Sequence, residues 1–386
     1  MTTKTRLSVL LLSTPVLAFV LVGGLIGKES TGDQEFQHLR TFHEVLNLVT
    51  GNYVEDVKVD KVMEGAMRGL ADGLDPDSAY LTPKQVRALE SGEALPEGDV
   101  GLELTRQYYL RVIAARDGSP AAKTGLQTGD YVRAIDGKPT RDMSVFEGSR
   151  LLRGQPGSKV TVTVIRGNAA EPHEIVLVRE KNASAAVTAK MLGSDVGYIR
   201  VASFRNGAPE DIRRHAGELT KAGAKSLIID VRRTAEGPLE NGYAAARAFV
   251  KTGTLGITTG RDTASRQSIA AKSGDGTIEL PVTLLVTTGT AGAAELFAAA
   301  LDGNSRATLV GERTLGRAGI QKLVRLPEGR ALWLTYARYL TPAGEPLHGR
   351  GLQPDTHVEE PDVEFGVAAS TTDPILDAAL AKARAK

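Results

Sequence analysis

Hydrophobic and polar positions follow three different rhythms along the chain, which predicts three folded regions. Over residues 35–90 apolar residues recur at the three- and four-residue spacing of helices. From about residue 98 to 180, segments such as "YYLRVIAA" and "KVTVTVIRG" alternate or run apolar with β-branched residues, as strands do. From about residue 190 onward strand-like and helix-like segments alternate. The apolar strands "LIID" and "LLV" there predict an α/β sheet that is buried on both faces.

Shorter signals add detail to this division. In "LDPDSAYLTPKQV" a loop leads into a helix start, with Thr82 as the N-cap, Pro83 in the first turn and Gln85 completing a capping box. The segment "KNASAAVTAK" predicts a linker between the second and third regions, and "DPILDAALAKARAK" predicts a final helix.

The N-terminus predicts a location. Lys4 and Arg6 precede residues 7–27, which carry no charge and as a helix would be about 30 Å long, enough to cross a bilayer core. We expect an uncleaved membrane anchor; the alternative is a cleaved signal peptide, although no clear A-x-A pattern follows the run. Either interpretation places the rest of the chain outside the cytoplasm, which would be the periplasm if the organism is a Gram-negative bacterium.

Composition excludes several classes of function. A formal net charge of +1 gives no electrostatic case for a nucleic-acid partner. The chain has no cysteine, and its six histidines form no close pair with ligand spacing, so neither disulfides nor a metal site is indicated. We therefore expect no cofactor and no metal.

The stretch "LLVTTGTAGAAELFAAALDG", residues 284–303, reads as a strand, a tight turn and a helix. Such turns often present a nucleophile beside the N-terminal amides of the helix, but this turn contains no serine or cysteine. It could also bind an anion, yet no nucleotide-binding glycine motif is present. Thr290 is the nearest hydroxyl, and we expect it to cap the helix rather than to attack a substrate.

Longer motifs decide between these alternatives. In order along the chain, "NYVEDV…LDPDSAYL", "SPAAKTGLQTGDYVRAIDG", "GYIRVASF", "LIIDVR", "RATLVGERTLGRAGIQ" and "LTYARYLTPAGEPLHGRGLQPD" resemble the carboxyl-terminal processing peptidases, also called tail-specific proteases. The resemblance implies an α/β protease-like core of the crotonase/ClpP type, an inserted β-rich PDZ domain, an N-terminal helical region and a single N-terminal transmembrane helix. The implied boundaries are residues 1–28 for the anchor or signal segment, 29–97 for the helical region, 98–182 for the PDZ domain and 183–386 for the core with its C-terminal helix.

In this family a serine–lysine dyad, assisted by a glutamine, cleaves protein C-termini. On the family pattern Gly292 stands at the position of the serine and Arg317 at that of the lysine, with the family's interval between them, while Gln321 is retained. Glycine has no nucleophile, and an arginine guanidinium stays protonated and cannot act as a general base. We expect Arg317 to fill the space of the lysine, with its head toward solvent, Glu236 or Glu295.

The resemblance also places an oxyanion region and a peptide site. The oxyanion region comprises Glu236, Gly237 and Ala293, and the Glu236 carboxylate would oppose a developing negative charge. The peptide-binding loop of the PDZ domain is the segment "VGLEL", made of Val100, Gly101, Leu102, Glu103 and Leu104.

The sequence therefore predicts a membrane-anchored, extracytoplasmic pseudoprotease that binds protein C-termini or a protease paralogue as an adaptor or regulator, with homodimer formation through its terminal helices as a further expectation. The alternative hypothesis is an active serine-type endopeptidase that uses a non-standard nucleophile such as Thr290.

Overall fold

The computed structural model describes residues 31–92, 94–167, 171–181, 186–361, 363, 365 and 372–385. The chain divides between Ala66 and Met67 into two compact units. Within these described ranges no helix is both long and apolar enough to cross a membrane, which corrects the transmembrane part of the predicted fold class. The apolar run itself, residues 7–27, lies outside the described residues.

The first part of the described chain is helical, as the apolar spacing predicts. It contains α1 (Thr31–Asn52), α2 (Val59–Asp72), strand β1 (Ala79–Leu81) and α3 (Pro83–Glu90). The predicted capping box at the start of α3 is confirmed. The Thr82 side chain accepts the Gln85 N–H at 3.4 Å, and the Gln85 side chain accepts the Thr82 N–H at 2.9 Å.

The second region is β-rich, and its elements follow in chain order: β2 (Gly98–Asp99), β3 (Leu102–Gln107), β4 (Tyr109–Ala115), α4 (Pro120–Lys123), β5 (Tyr131–Ile135), β6 (Lys138–Pro139), α5 (Val145–Leu152), β7 (Lys159–Ile165), β8 (His173–Val178) and β9 (Glu180–Lys181). The antiparallel sheet has the order β3-β4-β5-β7-β8, with β6 paired to β5. Alternate residues of these strands, among them Leu104, Val132 and Val162, form its own hydrophobic core, which is why the period-two pattern appears in the sequence.

The third region alternates strands with helices, and its elements are β10 (Val187–Leu192), β11 (Val196–Val201), α6 (Ala208–Lys221), β12 (Ser226–Asp230), α7 (Glu240–Ala246), β13 (Thr254–Gly260), β14 (Gln267–Ala270), β15 (Val282–Val286), α8 (Ala293–Asp302), β16 (Ala307–Gly311), β17 (Gly319–Arg325), β18 (Ala331–Leu340), β19 (Thr356–His357) and α9 (Pro374–Arg384).

The main sheet of this region has the order β10-β11-β12-β15-β16-β19. Its strands are parallel except for β10, which pairs antiparallel with β11. Helices α6, α7 and α8 cover one face and α9 covers the other, so β12 and β15 are buried along their whole length, as their apolar sequences predict. The expectation that residues 181–190 form a linker is wrong for the part that overlaps β10. The small and polar residues at the start of that segment give no strand pattern, but residues from Val187 onward pair with the edge of β11.

A second sheet brings the loop of residues 75–78, which precedes β1, to the α/β core. Strand β18 pairs with β1, β13 and β17, and β14 pairs with the other edge of β13. The pairing of β1 with β18 matches Ala79 with Trp333, so the loop of residues 75–78 lies beside the strands that follow α8. The predicted strand "ALWLTYARYL" is confirmed as β18 over its full length.

Candidate active site at the start of α8

Gly292 lies where β15 ends and α8 begins, and it is buried. Its backbone angles, φ 61° and ψ −124°, belong to the strained region that strand-to-helix nucleophile turns use and that non-glycine residues avoid. A Cβ built on Gly292 would meet its nearest neighbours, Leu239 Cδ2 and the Ala235 carbonyl oxygen, at 3.5 and 3.7 Å. The turn thus has the shape of a nucleophile site and room for a side chain, but it carries no hydroxyl at this position.

Glu295, one turn into α8, joins the turn to the loop that precedes β17. Its fully buried carboxylate accepts the Gly292 N–H at 3.2 Å, the Gly316 N–H at 2.6 Å, the Arg317 N–H at 2.7 Å and the Thr314 hydroxyl at 2.5 Å. Burial outweighs these donors and raises the pKa of Glu295 to about 7. The two loops that carry residues 292 and 317 are therefore held together by one carboxylate.

Thr290 is fully buried, and its hydroxyl is already committed. The Oγ1 atom donates to the Val231 carbonyl at 2.9 Å and accepts the Thr287 N–H at 3.1 Å. The expectation that Thr290 caps α8 is wrong, because Gly292 occupies the N-cap position and the Thr290 side chain points to β12 instead. This hydroxyl pins the turn to the neighbouring strand.

Arg317 lies in the loop before β17 and points away from both partners that the sequence suggested. Its Nε atom lies 2.9 Å from Oδ1 of Asp77, whose side chain is 8% exposed, and its Nη1 donates to the Leu104 carbonyl at 3.4 Å. The contact with Glu295 is made by the Arg317 backbone and not by the guanidinium. The guanidinium therefore lies between the loop of residues 75–78 and strand β3.

Gln321 is held on β17 by the neighbouring strand. Its side-chain amide donates to the Thr335 hydroxyl at 3.1 Å, and that hydroxyl donates to Asp75 at 3.2 Å. Residues 321 and 335 are direct partners in the pairing of β17 with β18. Gln321 belongs to a polar network that extends into the loop of Asp75.

The loop after β12 supplies Glu236 and Gly237. Oε1 of Glu236 lies 3.2 Å from Nη1 of Arg116, while its Oε2 is buried and has no hydrogen-bond partner. Gly237 has φ 124°, and a Cβ there would lie 2.3 Å from the Phe204 carbonyl carbon, so only glycine fits. Ala293, the first residue of α8, is buried beside this loop. The loop thus places a carboxylate in the region where the resemblance implies an oxyanion.

The predicted peptide-binding loop lies at the start of β3. The side chains of Val100, Leu102 and Leu104 are buried in the hydrophobic core of the β-rich region. Glu103 lies between the charges of Arg317, Glu236 and Arg116, and burial is the main cause that raises its pKa. Gly101 has φ 74°, and a Cβ there would lie 2.2 Å from Cβ of Ser119. The buried side chains Val100, Leu102 and Leu104 therefore cannot contact a ligand, and recognition falls to backbone groups of the loop.

The β-rich region packs directly over the turn. Ile113 and Ala114 at the end of β4 form a small apolar cluster with Ala291, Ala235 and Leu315. These three partners come from the turn, the loop after β12 and the loop before β17. The turn and these two loops therefore meet beneath one end of the β-rich region, whereas Gln321 is held by Thr335 on β18.

Comparisons with known proteins agree with this arrangement. A model of peptidase family S41 matches residues 195–358, and a PDZ model matches residues 111–166. The carboxy-terminal-processing protease of Bartonella bacilliformis is 31% identical over 331 residues, which cover 84% of this chain and 76% of that protein. This chain belongs to peptidase family S41, among the carboxyl-terminal processing proteases. The carboxyl-terminal-processing protease of Synechocystis is 33% identical over 79% of this chain and 73% of its own length. The photosystem II D1 C-terminal processing protease superposes with a TM-score of 0.69 at 28% identity, covering 82% of this chain and 92% of that one.

Within the family S41 match lie Gly292, Arg317, Gln321 and Glu236, whereas the loop Val100–Leu104 precedes the PDZ match. Three charged residues around the site are not predicted from the sequence: Asp77, Asp99 and Arg116. Asp77 stands in the "LDPDSAYL" motif that helped to identify the family, but nothing local in the sequence connects it to Arg317. The other two lie in segments that are read as strand ends.

Proposed function

We propose that this family member is a pseudoprotease, which binds protein C-termini or a partner protease through its PDZ domain and does not cleave peptide bonds. The observation that carries the proposal is the state of the turn at Gly292. The backbone keeps the strained conformation of a nucleophile turn, yet the side chain that would attack is missing.

The residues around the turn offer no replacement for a nucleophile and its base. The Thr290 hydroxyl is buried and bonded on both sides, so it can reach a substrate only if the turn is rebuilt. The Arg317 guanidinium stays protonated and cannot act as a general base, and its Nε atom lies 2.9 Å from the Asp77 carboxylate. Glu236 adds a partly unpaired carboxylate to the region where negative charge would develop. These contacts favour the pseudoprotease over the alternative of an unorthodox peptidase.

The PDZ domain supports the binding half of the proposal. Its sheet and helix α5 share one hydrophobic core, and among the described strands β3 pairs with β4 alone. PDZ domains bind C-terminal peptides by adding them to such an edge. The partner that fits is a protein tail with a free carboxylate or a protease that presents one.

The test separates cutting from binding on the same sample. The full-length protein is incubated with an unstructured protein that ends in apolar residues, and products are followed by mass spectrometry while binding of the tail is measured by fluorescence anisotropy. We expect binding without cleavage. Cleavage that persists in Thr290→Ser and disappears in Thr290→Ala would instead establish the alternative hypothesis.

A further inference from the structure

The free edge of β3 and the loop Val100–Leu104, called here the carboxylate loop, together form the peptide site under the proposed function. A bound tail would form backbone hydrogen bonds with β3 and place its terminal carboxylate on N–H groups of the loop. Two side chains of this chain already bond to backbone atoms of this site. One is a carboxylate at the loop, and the other is a guanidinium at the strand.

The carboxylate is that of Asp99, which directly precedes the carboxylate loop. Its Oδ1 accepts the Gly101 N–H at 2.8 Å and lies 2.7 Å from Nη2 of Arg116. Its Oδ2 lies 3.7 Å from Nη2 of Arg153, and the residue is 9% exposed. Backbone amides and guanidinium groups both form charge-assisted hydrogen bonds with carboxylates. Asp99 therefore already uses two donors, the Gly101 N–H and the Arg116 guanidinium, that could bind the terminal carboxylate of a peptide.

The guanidinium is that of Arg317, which lies in the core, in the loop before β17. Its Nη1 donates to the Leu104 carbonyl, at the downstream end of the carboxylate loop on β3, at 3.4 Å. The same guanidinium is anchored on Asp77 at 2.9 Å. A peptide strand that bonds to this carbonyl must displace Arg317 first.

The two contacts are coupled to the docking of the PDZ domain on the core. Arg116, which holds Asp99, also lies 3.2 Å from the Glu236 carboxylate of the loop after β12. Arg116 is 7% exposed, so both ion pairs are shielded from solvent. The chain Asp99–Arg116–Glu236 thus links the carboxylate loop to the same region of the core that carries Arg317.

We propose that Asp99 acts as an internal substitute for a ligand's terminal carboxylate, and that Asp99 and Arg317 together keep the peptide site closed until a tail displaces them. This inference rests on the proposed function and adds its regulation. Because the competent state is only a fraction of the molecules, the apparent affinity for a tail is lowered by that fraction.

The test uses the full chain and a short fluorescent peptide with an apolar C-terminus, prepared with a free carboxylate and as the amide. The variants are Asp99→Ala, which removes the internal carboxylate, and Asp99→Asn, which keeps an acceptor oxygen without the charge. Glu174→Gln is the matched control, because Glu174 is an exposed carboxylate on β8, the opposite edge strand of the same sheet. Amide hydrogen exchange at Gly101 is followed without peptide in each variant.

We expect Asp99→Ala to bind the free-carboxylate peptide at least tenfold more tightly than the unmodified chain, with Asp99→Asn between them. Binding of the amidated peptide and binding by Glu174→Gln should stay unchanged. Exchange at Gly101 should accelerate in Asp99→Ala and slow again when the free-carboxylate peptide is added. If Asp99→Ala does not fold, the intermediate affinity and exchange of Asp99→Asn decide the question.

Equal affinity of the unmodified chain and the folded Asp99 variants would overturn this inference and leave the proposed function standing. Unaltered exchange at Gly101 would overturn it as well. The absence of peptide binding in every variant would overturn the inference together with the binding half of the proposed function.

Discussion

Nε of Arg317 lies 2.9 Å from Oδ1 of Asp77, a carboxylate whose side chain is 8% exposed. The pair connects the loop before β17 to the loop before β1. A buried carboxylate at this position attracts a cation at residue 317, because opposite charges interact more strongly where water is excluded. This relationship constrains any attempt to rebuild a catalytic dyad in the chain.

We predict that Gly292→Ser with Arg317→Lys gives no detectable peptide hydrolysis. Asp77 would keep the introduced lysine protonated, and a protonated amine cannot take the proton of the serine. The triple variant that adds Asp77→Asn should hydrolyse an unstructured substrate faster than the double variant, as followed by mass spectrometry. Asp77→Asn alone, which still lacks a hydroxyl at residue 292, is the control. A double variant as active as the triple would show that Asp77 does not control the base.

The protein should tolerate a side chain at residue 292, in the turn before α8, far better than at residue 237, in the loop after β12. Gly292→Ala places a Cβ in ordinary contact with its neighbours, and its cost is the strained positive-φ backbone, about 1–3 kcal/mol of unfolding free energy. Gly237→Ala drives a Cβ to 2.3 Å from the Phe204 carbonyl carbon, and should cost about 3 kcal/mol or more. Urea denaturation of the two variants measures the difference. Equal losses would mean that the turn at Gly292 is closed to side chains.

Thr290→Val should destabilise the protein. The variant keeps the shape of the side chain but leaves the Val231 carbonyl and the Thr287 N–H without their partner, at about 1–3 kcal/mol. Thr288→Val is the control, because Thr288 is an exposed residue in the same turn. Thermal and urea unfolding check the prediction, which fails if both variants have the stability of the unmodified chain.

The stability of the protein should fall as pH rises from about 4.5 to 7, as far as Glu295 contributes. Burial raises the pKa of Glu295 from 4.5 to about 7 in the folded state. In that interval the folded chain therefore binds a proton that the unfolded chain has released. The stabilisation is complete below the unfolded pKa and is lost as pH rises through the folded one, by about 1.4 kcal/mol per unit of difference.

Glu295→Gln tests this dependence. Glutamine keeps one acceptor oxygen, but its NH2 group would face the two donors that the other carboxylate oxygen now accepts. The variant should therefore be less stable overall, but its unfolding free energy should change less with pH between 4.5 and 7. Urea titrations at several pH values measure both quantities. An unchanged slope in Glu295→Gln would assign the pH dependence to other groups.

The sequence predicts well those features that are encoded locally. The capping box of Thr82 and Gln85, the strand β18 and the fully buried β12 and β15 follow from neighbouring residues and from hydrophobic period. Strand β10 is not predicted because it directly follows the small and polar residues 181–186, and because its pairing with β11 is a tertiary contact. The transmembrane helix finds no counterpart in the described ranges.

The same distinction between local sequence and tertiary contacts applies to the site. Its residues could be located from motif spacing, but their partners could not. Arg317 pairs with Asp77 and not with Glu236 or Glu295, and Glu236 pairs with Arg116. Each of these pairs joins loops from distant parts of the sequence, so only the assembled sheets decide which charges meet.

The central claim is that the chain binds protein tails and does not cut them, and it is tested most directly by mass spectrometry of an unstructured protein with an apolar C-terminus after incubation with the full-length chain. The account predicts that the substrate stays intact at every time, while the same tail peptide binds in a parallel anisotropy titration. Fragments that accumulate in proportion to the amount of chain, and that disappear in Thr290→Ala but not in Thr290→Ser, would contradict it.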